Sequence, residues 1–133
     1  MRKTLLPGLA IVVVLVLLDA LWLGAIAMPI YERGIGHLMA PQPNLAAAGL
    51  FYVLDAVGIL AFVVLPRAHG DRFGAARWGA LFGFMTFMTY DLTNLATLRD
   101  WPIGLSVVDV AWGCLATAIA SAVGRIVADR APS

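Results

Sequence analysis

The sequence is short of charge. Only 13% of its 133 residues are Asp, Glu, Lys or Arg, and 62% are hydrophobic. An ordinary soluble domain is about 25% charged and about 45–50% apolar, and a core of this size cannot hide the excess. Net charge is only +1, which excludes the basic surface that a nucleic-acid partner would need. Cysteine is nearly absent. The single Cys114 excludes an internal disulfide, leaves the redox compartment unread, and fits a small packing residue in a helix. No two His or Cys residues share a zinc-ligand spacing, and nothing in the sequence requires a cofactor. Linkers and low-complexity segments are missing too, so residues 1–133 form a single transmembrane domain.

What is present is apolar sequence in long runs. A spanning helix needs about 20 mostly apolar residues, and four segments qualify, over about 5–27, 45–65, 78–98 and 104–127. The fold class is therefore all-α, an integral membrane four-helix bundle. Pro29 follows the first run, Pro66 the second, and Trp101-Pro102 divides the third from the fourth. Asn44, after the Pro41-Gln42-Pro43 turn, is placed to cap the second helix. Arg2-Lys3, an apolar stretch and Ala25-Ile26-Ala27 imitate a cleaved secretory signal, but the run is long and holds Asp19 and Trp22, as a retained helix would.

Basic residues set the orientation. With the N-terminus in the cytoplasm, the inside carries Arg2, Lys3, Arg67, Arg72, Arg77, Arg125 and Arg130, and the outside only Arg33 and Arg99. This bias predicts an N-in/C-in, multi-pass protein of the cell inner membrane and argues against dual topology. Trp78 and Trp101 fall at predicted boundaries, where indoles prefer to sit. Arg67, Arg72 and Arg77 are placed to touch anionic lipid; His69 beside them has no evident partner. Gly79 and Gly83 form a G-x-x-x-G pair, and Ala116, Ala120 and Gly124 repeat at four-residue spacing. Such faces let helices approach closely and offer a surface for a homodimer.

Each predicted helix carries one aspartate: Asp19, Asp55, Asp91 and Asp109. A charge at the centre of a spanning helix costs about 2.5–3.5 kcal/mol on insertion scales. At 1.5 Å per residue the four lie about 8–15 Å below the outer helix ends, within one band of the outer half. Trp22 and Trp112 each follow an aspartate by three residues, on the same helix face, where an indole N–H can donate to a carboxylate or a ring can wall a pocket. Tyr52 precedes Asp55 at the same spacing. The third helix is the most polar: Thr86, Tyr90, Thr93 and Thr97 form a stripe flanked by Asp91 and Asn94, expected to face the bundle interior. Above these groups runs an outer loop, Met28 to Asn44, with Tyr31, Glu32, Arg33 and His37. His37 is a candidate acid, base or ligand lidding the aspartates, and Arg99 a candidate clamp for an anionic headgroup.

Three strings, Gly36-His37-Leu38-Met39-Ala40-Pro41-Gln42-Pro43-Asn44, Tyr90-Asp91-Leu92-Thr93-Asn94-Leu95-Ala96-Thr97-Leu98 and Asp109-Val110-Ala111-Trp112-Gly113, resemble a group of small bacterial membrane proteins known only as a domain of unknown function. The resemblance covers nearly the whole chain. It implies a bacterial four-helix inner-membrane protein and supplies no reaction, ligand or catalytic residue.

Three functions compete. The first is an outward-opening polar cavity that binds or transports a cation, a proton-coupled solute or a small polar ligand. Asp19, Asp55, Asp91 and Asp109 would hold it, aided by Asn94, Tyr90, Tyr52, Thr93, Trp22, Trp112, His37 and Arg99. Oxygen ligands of this kind suit Mg²⁺, Ca²⁺ or Mn²⁺ better than zinc, and without a metal the carboxylates must share protons or meet an arginine, Arg33 or Arg99. Transport by four helices would call for a dimer. The second is a membrane-embedded enzyme acting on a lipid or isoprenoid, with paired carboxylates as acid and base. The third is an accessory subunit whose polar groups only hold the fold. Membrane lipids are partners in all three.

Overall fold

The computed structural model describes residues 1–132, and among these it is helical with no strand. Helix α1, Arg2–Leu21, passes through a π-helical stretch, Trp22–Ala27, into α2, Met28–Ile35, and ends in a 3-10 turn, Gly36–Leu38. Helix α3, Leu45–Ile59, continues as a second π-helical stretch, Leu60–Val64. Two long helices follow, α4, Arg72–Thr97, and α5, Ile103–Arg130. The molecule is thus the four-helix bundle that the apolar runs predict. Arg2–Leu38, Leu45–Val64 and Ile103–Arg130 are each long and apolar enough to cross a membrane. Helix α4 is as long, at 26 residues, but its threonines, Asp91 and Asn94 make it more polar.

The first helix does not stop before Pro29, as the sequence suggests. Pro29 sits in the first turn of α2, where its missing N–H costs nothing. The π-helical stretch before it shifts the backbone register from i→i+4 to i→i+5 and absorbs the ring. About half of the expected outer loop is therefore helix. The third helix begins six residues before the expected Trp78. Gly70 takes a left-handed backbone, φ 82°, and Asp71 then caps α4, its Oδ1 accepting from the amides of Phe73 and Gly74, both at 3.1 Å. These bonds, that of Gly74 foremost, hold the Asp71 carboxyl below its ordinary value. Asn44 caps α3 as expected, accepting from the Ala47 amide at 3.1 Å.

Small residues decide the packing. Ala75, Gly79 and Gly83, at four-residue steps, and Asp91, eight residues on, lie along one buried ridge of α4, facing α5. A Cβ on Gly79 would come within 2.9 Å of the Thr117 carbonyl oxygen, and one on Gly83 would collide with the Gly113 carbonyl. Ala116 and Ala120 are buried, and Gly124 packs on Ile11 and Val64. Both small-residue faces therefore make close contacts inside the chain.

Ile11 against Gly124, and Arg125 donating to the Val64 carbonyl at 3.0 Å, bring the start of α1, the end of α3 and the end of α5 to one end of the bundle. Both termini share that end. At the opposite end, Tyr31 of α2 meets Asp109 of α5, and His37 lies 3.7 Å from Asp100.

Candidate functional site

The four aspartates come together as two pairs. Asp19 is held from both sides: Tyr52 donates its hydroxyl to Oδ2 at 2.7 Å, and Trp112 its indole N–H to Oδ1 at 2.9 Å. Asp55 stands one turn beyond Tyr52 on the same face of α3, close enough to Asp19 for the two charges to interact. Asp109 accepts from the Tyr31 hydroxyl at 2.6 Å. Beside it lies Asp91, with 0% exposure and no hydrogen-bond partner for either carboxyl oxygen. Each pair thus has one aspartate satisfied by aromatic donors and one that receives none.

The two tryptophans join the pairs. Trp22 and Trp112 stack face to face, ring centroids 4.7 Å apart and planes 5° from parallel. The Asp-Trp spacing within a helix suggests a local bond, but the indoles exchange partners. Trp112, three residues after Asp109, serves Asp19; Trp22, three residues after Asp19, points its N–H at the Tyr31 oxygen 3.5 Å away, and Tyr31 serves Asp109. A cross-bonded pair of helices results, α1 to α5.

Next to the stack is a cavity of about 470 Å³, within the usual size range of small-molecule sites. Asp19, Trp22, Leu23, Tyr31, Phe51, Thr86, Phe87, Tyr90, Asp109 and Trp112 line it. Six of these are aromatic, two are carboxylates and none is basic. Outside the cavity, Phe82 of α4 lies over Gly58 and stacks on Phe62, centroids 6.4 Å apart. Helix α4 packs on the Leu60–Val64 stretch and scarcely touches α3 itself. Phe51 of α3 and Tyr90 of α4, about half exposed at 47% and 54%, both line the cavity where these two helices make almost no direct contact.

Several sequence expectations change. Asp55 and Asp91 do not line the cavity. No group of three His, Cys, Asp or Glu residues placed to hold a metal occurs among the described residues. The polar stripe turns toward the cavity only at Thr86 and Tyr90, which line it. Thr86, Thr93 and Thr97 are exposed, and their hydroxyls donate to carbonyls of their own helix at 3.2, 2.6 and 2.8 Å. That local bonding removes the need for an interior partner, and the close-packed ridge already fills the interior face. Asp91 is buried as expected, Asn94 is half-buried beside Tyr90, and Tyr90 faces the cavity. His37 and Arg99 do not line the cavity; His37 and Asp100, 52% and 77% exposed, approach each other outside it. Arg33 donates to the Pro29 carbonyl at 3.2 Å instead of reaching the aspartates. Trp101, expected at the lipid boundary, is buried and donates to Ser106 at 2.9 Å.

Tyr31, Phe51 and Phe87 are site residues that sequence reasoning missed. Tyr31 was concealed by the assumption that Pro29 ends the helix. A proline suits the first turn of a new helix equally well, but nine residues of regular α-helix would carry Tyr31 half a turn away from Trp22; the π-helical Trp22–Ala27 stretch, which nothing in the sequence signals, lies between them and changes that phase. Phe51 and Phe87 carry no signal that separates them from ordinary apolar packing.

No curated protein and no solved structure is detectably similar to the chain. A family pattern matches residues 4–126, nearly the whole length, and the chain belongs to that family, described as Predicted membrane protein (DUF2177).

Proposed function

We propose that this protein binds a lipophilic organic cation, its apolar body among the cavity aromatics and its charge between Asp19 and Asp109. The observation that carries this reading is the composition of one cavity wall: six aromatic rings and two carboxylates, with no basic side chain. Aromatic faces attract cations, most strongly where water is excluded, and a carboxylate in the same low-dielectric space adds a direct Coulomb attraction. A bare metal ion would find too few oxygen ligands here, whereas a large cation with delocalised or shielded charge needs only a few contacts. The scarce contact between α3 and α4 beside the half-exposed Phe51 and Tyr90 offers such a molecule a path from the bilayer. The protein then sits in a bacterial inner membrane, multi-pass, with both termini in the cytoplasm and the cavity in the outer half.

Tetraphenylphosphonium and tetraphenylborate, ions of one shape and opposite charge, test this by quenching of the Trp22–Trp112 fluorescence. The cation is expected to bind saturably and the anion not to bind. Asp19→Asn and Asp109→Asn are each expected to weaken cation binding by about tenfold, ~1.4 kcal/mol. Equal response to both ions, or no response to either, refutes the reading. It would leave these groups a purely structural role, in which the same substitutions lower stability alone.

A further inference from the structure

Asp91 has no function in the account so far. It lies on the α4 ridge that packs against α5, fully buried, with both carboxyl oxygens lacking a hydrogen-bond partner. The groups facing it are Asp109 and Ser106 of α5, Tyr31 of α2, and Tyr90 one residue earlier on its own helix. The Ser106 hydroxyl accepts the Trp101 indole N–H, which leaves its own O–H as the one neutral donor near Asp91. None of these groups is a cation, and Arg33 is engaged with the Pro29 carbonyl.

We infer that Asp91 and Asp109 share a single proton, and that a cation entering the cavity displaces it. The first part follows from burial. An ionised carboxylate in so dry a place, with no cation and at most one hydroxyl near it, carries a desolvation cost of several kcal/mol, and a second negative charge beside it adds repulsion. A proton on Asp91 removes both costs and turns the orphaned group into a donor whose acceptor, Asp109, is adjacent. Asp109 can accept this bond and the one from Tyr31 together, since a carboxylate has about four acceptor positions. The pair then carries one negative charge.

The second part follows from the position of the two residues. Asp91 does not line the cavity and Asp109 does, so Asp109 is the only member of the pair that both shares the proton and faces the ligand. A cation beside Asp109 stabilises the doubly ionised pair. The O–H bond of Asp91 breaks, the proton passes to an Asp109 oxygen and then to cavity water, and the arriving positive charge replaces the departing one. Net charge in the site is unchanged. This coupling rests on the cation-binding reading above; the shared proton does not.

Two measurements on the full chain in lipid nanodiscs test the inference separately. Infrared spectra at neutral pH are expected to show a protonated carboxylic acid band that Asp91→Asn diminishes and Asp129→Asn, at the other end of the bundle, leaves intact. Asparagine keeps the shape and neutrality of the protonated acid, so the variant is expected to fold. Full retention of the band in Asp91→Asn overturns the shared proton. In weakly buffered solution, tetraphenylphosphonium binding is expected to release up to one proton per cation, and Asp91→Asn to bind the cation without release. Binding without release by the unaltered protein overturns the coupling. Absence of binding overturns both the coupling and the ligand reading, while the infrared band still decides the shared proton.

Discussion

The indole nitrogen of Trp112 lies 2.9 Å from Oδ1 of Asp19, a bond that joins α5 to α1 across 93 positions of sequence. With Tyr52 on the other oxygen, it makes Asp19 the meeting point of α1, α3 and α5. The carboxylate thereby exists in the apolar interior without a basic partner, held by two N–H and O–H dipoles.

Removing either donor leaves that carboxylate under-satisfied. Trp112→Phe and Tyr52→Phe are each expected to lower stability by about 1–2 kcal/mol, in the range for hydrogen bonds to charged groups and for polar contacts in membranes. Unfolding by a denaturing detergent reads the change. In a double-mutant cycle, Tyr52→Phe is expected to cost much less once Asp19 is already Asn. Strict additivity would mean that the 2.7 Å contact contributes nothing.

Gly113 and Phe87 offer a way to alter the cavity without touching its charges. The Phe87 ring occupies the space where a Gly113 side chain would be. Gly113→Ala is expected to push the ring away from α5 and shrink the cavity, at an overpacking cost of about 1–3 kcal/mol. Cation titration of the folded variant checks this; the expected outcome is weaker binding of tetraphenylphosphonium with Asp19 and Asp109 intact. Unchanged affinity would show that Phe87 moves elsewhere.

Acid sensitivity outside the membrane is expected at the start of α4. The Asp71 carboxyl is held below its ordinary 3.8 by the backbone amides it caps. Its contribution is fully present above 3.8 and is lost as pH falls through the lower folded-state value. Asp71→Asn keeps a capping oxygen without the titration. Comparing unfolding midpoints from about pH 5 down to 2, the original protein should lose stability relative to the variant only at the acid end. A constant difference across this range would show that Asp71 does not titrate as described.

Orientation is tested by reporter fusions. Fusions after Arg72 and at the C-terminus are expected to read cytoplasmic, and those near Gln42 external, because the basic residues gather at the end that holds both termini. An external C-terminus would contradict the model.

Much of this architecture was legible in the sequence, and the reasons are physical. Apolar runs must become helices in lipid, where every backbone polar group needs an internal partner, so the four helices could be read directly. The aspartates, Tyr52, Trp22 and Trp112 were legible as a site because such groups are costly in apolar surroundings. Their partners were not. Trp112 bonds Asp19 and not its sequence neighbour Asp109 in the geometry that stacks the two indoles, a tertiary choice that spacing does not encode. The threonine stripe misled because a hydroxyl in a helix can satisfy itself on a carbonyl three or four residues back. The small-residue ridges were legible as close contacts, but whether they meet their own chain or another depended on the whole bundle.

The central claim is that a cation sits between Asp19 and Asp109, against the Trp22–Trp112 stack. Tetraphenylarsonium carries a heavy atom at its centre, and anomalous diffraction from crystals grown with it would locate that atom. The account predicts one strong peak inside the 470 Å³ cavity, lost in the Asp19→Asn, Asp109→Asn double variant. An ordered peak elsewhere on the protein with the cavity unoccupied, or a cavity peak that survives loss of both carboxylates, would contradict it.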